Sequence, residues 1–176
     1  MKSDYVRVTG LVDLFAKARE LSVTTMIFDV EPLVAPWHGS QESLDRGIAR
    51  IVGGVRTVPS MRVLVFATNS ARRPSDVPAC DSIDVRYMAS ADKPLRTAPY
   101  HGLPRPGAVA GDQIPTDGML AYRLRFTFLH YTPKPTGVPL GAGLMHRWGE
   151  LMRPLLFRRQ TRQPVPRHEE RTGPDA

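Results

Sequence analysis

The chain contains a single cysteine, Cys80, so it has no intramolecular disulfide and no second thiolate for a zinc site, as expected of a protein from a reducing compartment. It also lacks any run of about 18 apolar residues that could span a bilayer. Residues 1–7 have no apolar signal-peptide core, so the expected location is cytoplasmic. Aromatic residues make up only 7% of the chain and are not interleaved with the arginines. The stacking platforms of single-strand binders are therefore missing, and nucleic acid is not an expected partner. The histidines His38, His101, His130, His146 and His168 are dispersed, and none pairs as H-x-x-x-H, which argues against zinc. Ser40 and Ser70 have no G-x-S-x-G context, and neither Gly53-Gly54 nor Gly141-Ala142-Gly143 has the lysine of a phosphate-cradling Walker loop. What the chain does have is a net charge of +7 and a pI near 10.1, which attract anions. Its 176 residues, 41% of them apolar, suffice for one domain with its own core.

Residues 23–30 form a nearly continuous apolar, β-branched run ending at Asp29, the pattern of a parallel strand buried on both faces. Further strands are expected at 62–67, 83–87, 108–110 and 126–130. Helical spacing of apolar residues covers 11–21, a second helix starts at Ser40 as N-cap and runs to Val52, and a third fits 118–124. Residues 94–100 hold at best a short helix. The alternation predicts an α/β, three-layer Rossmann-like fold with a mainly parallel sheet, its ligand site at the carboxyl ends of the strands.

Those strand ends carry Asp29 and Glu31, then Thr68-Asn69-Ser70, then Lys93, then Asp112 and Asp117. Carboxylates gathered at one sheet edge repel each other unless a cation neutralises them, and hard oxygen donors favour Mg²⁺. A hydroxyl and an ammonium nearby would stabilise phosphoryl oxygens, so a phosphorylated small-molecule or lipid substrate is the expected partner. Each residue also has a plainer role: Thr68, Asn69 or Ser70 as a helix cap, Lys93 as a surface lysine, Glu31 as a solvated loop residue.

The order Phe28-Asp29-Val30-Glu31-Pro32-Leu33-Val34-Ala35-Pro36-Trp37, Thr68-Asn69-Ser70, Lys93-Pro94 and Gly111-Asp112-Gln113-Ile114-Pro115-Thr116-Asp117 resembles the four motifs of haloacid-dehalogenase-like phosphatases. It is most similar to the subclass IIIA, YqeG-type branch, related to phosphatidylglycerophosphate phosphatases; the resemblance covers roughly residues 20–135, and the short gap between its first two motifs implies no large cap domain. It implies that Asp29 is the nucleophile, that Glu31 is the acid/base, and that Thr68 and Asn69 bind the substrate phosphate along with Lys93, which also pairs with Asp29. It further implies that Asp29, Glu31 (through its carbonyl), Asp112 and Asp117 form the Mg²⁺ site. A phosphoacceptor receiver domain shares the Asp, Thr and Lys chemistry but places its acidic pair before the phosphorylated aspartate, unlike this chain.

The first motif departs from the family pattern at Glu31, which replaces aspartate, and at Leu33. Glutamate lengthens the reach by roughly 1.5 Å, a displacement of the size that can cost about a hundredfold in rate. A weakened, non-catalytic binding or regulatory module is therefore the alternative reading. Residues 1–135 are expected to form the phosphatase-like domain, 136–160 a Pro/Gly linker and basic amphipathic segment, and 161–176 a disordered tail. In the amphipathic segment Leu144, Trp148, Leu151 and Leu155 share a helical face, with arginines alongside. Residues 144–159 are read either as packing on the domain or as making peripheral contact with an anionic membrane.

Overall fold

The structure, a computed structural model, describes residues 3–80, 82–132 and 149–157. The elements are β1 (Tyr5–Val8), α1 (Leu11–Glu20), β2 (Thr25–Asp29), α2 (Gln41–Val55), β3 (Val63–Ala67), β4 (Asp84–Met88), a 3₁₀ turn (Ala98–Tyr100), β5 (Gly107–Gly111), a π turn (Ile114–Gly118), α3 (Met119–Leu124) and β6 (Thr127–Tyr131). A further helical stretch, α4 (149–156), follows. The five expected strands are all present within two residues of their expected limits. β1 was not foreseen. Four residues carry no periodicity to read, and the strand exists because it pairs with β6, Tyr5 lying opposite Phe128.

The six strands form one sheet in the order β1-β6-β5-β2-β3-β4, and every pairing is parallel. The chain proceeds from β2 outward through β3 to β4, then returns to the other side of β2 with β5. The carboxyl ends of β2 and β5 therefore flank the point where the winding reverses, which is where an open α/β sheet leaves a crevice. β2, β3 and β5 are buried at every position, as expected for strands covered on both faces. β4 is a half-exposed edge in which Asp84 and Arg86 alternate with Val85 and Tyr87.

Successive side chains point to opposite faces of a strand, and this divides the core in two. Met26, Phe28, Leu64 and Phe66 meet α1 and α2 on one face. Ile27, Val65, Val109 and Phe128 meet α3, Tyr100, Leu156 and Phe157 on the other. In α2 the Ser40 hydroxyl caps the first turn by accepting from Ser43 N at 3.2 Å, and Leu44, Ile48, Ile51 and Val55 recur at helical spacing on the buried side. At Gly47 a Cβ would run into the Val34 carbonyl. The missing side chain lets α2 press directly on the loop that follows β2, the loop that carries Glu31.

α4 docks on the face carrying Tyr5. Leu156 and Phe157 are buried, Met152 packs beside them, and Ser3 N donates to the Leu156 carbonyl at 3.2 Å. Leu151 and Leu155, read either as packing on the domain or as touching a membrane, do not pack on it: they are 75% and 74% exposed. Leu144 and Trp148, like the expected tail at 161–176, lie outside the described residues. Among the described residues no helix is long and apolar enough to cross a membrane.

Candidate functional site

Asp29 is the last residue of β2, and Thr68 follows β3 directly. Lys93 stands in the connection beyond β4, and Asp112 follows β5. The π turn after β5 bonds Asp117 N to the Gln113 carbonyl at 2.9 Å, which turns the Asp117 side chain back over the sheet end. Gly111 makes room for it: a Cβ there would collide with the Asp117 carboxylate.

Four residues distant in sequence thus meet. Lys93 Nζ donates to Asp29 Oδ1 at 2.6 Å and to Asp117 Oδ1 at 2.8 Å, and all three side chains are almost wholly buried. One carboxylate oxygen from each of Asp29, Asp112 and Asp117 lies within 4.8 Å of the others. Burial, then the neighbouring Asp117, push Asp29 well above the usual carboxylate range against the pull of Lys93. The same two causes push Asp112 up to about 7. Burial works to lower Lys93, but the carboxylates of Asp117 and Asp29 outweigh it and hold the ammonium above the ordinary lysine value.

Three carboxylates face one ammonium, and Asp112 Oδ1 is buried without a hydrogen-bond partner. An orphaned buried carboxylate oxygen is costly, and the all-oxygen donor set suits a hard divalent cation such as Mg²⁺. The residues present therefore fit a metal. A pH dependence follows from Asp112. Its raised value contributes stability that is complete below the ordinary carboxylate range and is lost as pH rises through about 7; Asp29 acts in the same sense. A cation held there would displace those protons, so Mg²⁺ affinity should fall below pH 7 by up to about tenfold per pH unit for each proton displaced. Thermal unfolding in Mg²⁺ and in chelator at pH 6 and 8 should show the larger Mg²⁺ stabilisation at pH 8.

The Glu31 side chain turns away from this cluster. Its Oε2 accepts from Thr68 Oγ1 at 2.7 Å, while Oε1 lies 3.5 Å from Ser70 Oγ and 3.9 Å from Arg72 Nη1. The Thr68 hydroxyl, expected to face a phosphate, is donated to Glu31. Asn69, expected to bind substrate, turns both ends of its amide to the Lys93 main chain: Nδ2 donates to Lys93 O at 2.9 Å, and Oδ1 accepts from Lys93 N at 2.7 Å. In this arrangement it positions the lysine.

A cleft of about 70 Å³ opens over these groups, lined among others by Asp29, Glu31, Trp37, Thr68, Lys93 and Gln113. Arg72 was legible in the sequence only as one of many positive charges. Its Nη2 donates to the carbonyls of Gly39 at 2.8 Å and Ser40 at 2.6 Å, which ties the loop after β3 to the start of α2 beside Glu31. The Tyr100 hydroxyl, buried without a hydrogen-bond partner, also escaped notice, since its place depends on the 3₁₀ turn. Compared with known proteins, the chain matches no family model and has no significant match among curated proteins or solved structures.

Proposed function

We propose that the protein is a Mg²⁺-dependent phosphohydrolase of the haloacid-dehalogenase-like type, acting on a phosphate monoester through an aspartyl-phosphate on Asp29. The observation that carries this reading is the buried meeting of Asp29, Lys93, Asp112 and Asp117 at the point where the sheet winding reverses. Asp29, the Glu31 main-chain carbonyl, Asp112 and Asp117 would hold Mg²⁺, which supplies charge neutralisation between the carboxylate and the phosphoryl oxygens.

Lys93 holds Asp29 by Oδ1 and leaves Oδ2 to attack phosphorus as the bond to the leaving oxygen breaks. Glu31 would act as the acid that gives that oxygen a proton. The Glu31 carboxylate then takes a proton from water, whose oxygen attacks phosphorus. The Asp29–phosphorus bond breaks, and phosphate and the Asp29 carboxylate are regenerated. For the phosphoryl group to be held by Thr68, the hydroxyl must turn away from Glu31. So small a cleft accepts a tetrahedral anion and leaves the rest of the substrate at the mouth beside Trp37, which is 40% exposed.

The test is phosphate release from sugar phosphates, nucleotides and phosphatidylglycerophosphate, with chelator and Asp29→Asn as blanks. Equal release from the wild type and the variant would overturn the proposal. The lipid phosphate belongs in the panel because Leu151 and Leu155 project from α4 into solvent, where they could rest on an anionic membrane.

A second reading, a phosphate-binding or regulatory module without turnover, is favoured by one observation: the Glu31 carboxylate occupies the hydroxyl that the phosphoryl group needs. Glu31→Asp separates the two readings. Shortening the side chain frees Thr68, so turnover should rise by about tenfold or more. If the wild type binds beryllofluoride and Mg²⁺ and neither protein turns over any substrate, the module is the correct description.

A further inference from the structure

His130, the penultimate residue of β6, is buried, and both of its ring nitrogens are engaged. Nε2 lies 2.9 Å from the Asp112 carbonyl oxygen, and Nδ1 lies 2.6 Å from the Tyr5 hydroxyl. A carbonyl only accepts, so Nε2 carries the hydrogen. In the neutral ring Nδ1 then accepts from Tyr5, which fixes the tautomer. β5 ends at Gly111, opposite His130, so the Asp112 carbonyl has left the sheet ladder and the imidazole supplies its donor instead. The residue held by this side-chain bond is the one whose carboxylate carries the orphaned oxygen and joins the cluster.

The pair has a backing. The Phe157 ring lies 5.4 Å from Tyr5 and 5.5 Å from Phe128, and the Arg153 guanidinium sits 5.7 Å over the Tyr5 ring. At the other end of α4, Gly149 lies against Ile114 and Pro115, and a Cβ on Gly118 would lie 3.3 Å from Phe157. α4 therefore touches both the support of Asp112 and the π turn that carries Asp117.

We infer that Tyr5 and His130 are positioning residues for the cation-holding carboxylates, fixing the Asp112 main chain, and that α4 is the buttress that holds this pair and the Asp117 turn in register. The inference rests on the metal reading above. Groups that orient metal ligands from outside the coordination sphere typically govern metal affinity by about 10- to 100-fold, and here the lever is the peptide of the ligand itself.

Mg²⁺ titration calorimetry on the full chain tests it, with the melting temperature of each protein in chelator as the record of folding. His130→Leu removes the donor and should weaken Mg²⁺ binding about tenfold. His130→Gln keeps an N–H donor at the same place and should recover most of that loss, a rescue that a role in packing alone would not produce. Tyr5→Phe removes one oxygen, keeps the ring stack, and should weaken binding severalfold; it decides the matter if His130→Leu fails to fold. Phe157→Ala should weaken binding as well, and unchanged affinity there would remove α4 from the device. Wild-type affinity in both Tyr5→Phe and folded His130→Leu would overturn the inference while leaving the metal site standing. A wild-type chain that binds no Mg²⁺ would instead overturn the metal reading, and this inference with it.

Discussion

Asp29→Asn should abolish phosphate release while leaving the fold almost untouched. The amide oxygen is no nucleophile, and loss of a covalent nucleophile costs on the order of 10⁴-fold or more in turnover. Stability should respond differently, because burial and Asp117 raise the Asp29 carboxyl and so lower the cost of a neutral form in the metal-free protein. Asparagine is close to isosteric with that form and still accepts from Lys93 through its carbonyl oxygen. The melting temperature in chelator should stay within about 4 °C of the wild type, the shift expected from roughly 1 kcal/mol in a domain of this size. Phosphate release and thermal unfolding of the same preparation check both halves. A variant that loses activity only by unfolding would remove Asp29 from the chemistry.

Lys93→Met should be the most destabilising single substitution in the site. Methionine fits the volume but removes the cation from between Asp29 and Asp117. Deleting one partner of a buried ion pair typically costs about 3–5 kcal/mol, against a total stability of about 5–15 kcal/mol. The sign of the pH dependence is fixed by the groups left behind. At low pH the raised Asp29 and Asp112 take up protons and the unpaired charge falls, so the loss should be larger at pH 8 than at pH 5. The wild-type ammonium, held above its ordinary value, contributes fully below about pH 10 and adds no slope in that range. Saturating Mg²⁺ should return part of the loss, about 2.7 kcal/mol at a hundred times Kd. Urea denaturation at the two pH values, with and without Mg²⁺, measures all of this. A loss under about 1 kcal/mol would mean that the lysine is not needed to hold the carboxylates.

The parallel sheet and the convergence of Asp29, Asp112, Asp117 and Lys93 were legible because they depend on backbone order: uninterrupted apolar runs mark the buried strands, and residues just past such runs must gather at one edge. The bonds that individual side chains make within that edge were not legible. Whether Glu31 reaches the cluster or folds back on Thr68 is a matter of χ angles, and whether Asn69 faces a ligand or grips Lys93 depends on where the β4 connection passes. β1 could not be recognised because its four residues are defined by pairing with β6, a neighbour in the sheet that lies far along the chain. In and just after α4 the residues Leu151, Met152, Leu155, Leu156 and Phe157 place apolar groups on nearly every side, so spacing alone does not choose the packed face. The contact with Tyr5 chooses it.

The pairing of β1 with β6 also has a consequence in time. Tyr5 and His130 are 125 residues apart, and ribosomes add about 5–20 residues per second. Tyr5 therefore waits roughly 6 to 25 s for its partner while β2, β3 and β4 can already associate. If the Tyr5–His130 pair supports Asp112 as inferred, a nascent chain would have most of its sheet before it could hold a cation firmly. Metal loading would then follow synthesis of β6, the last of the described strands.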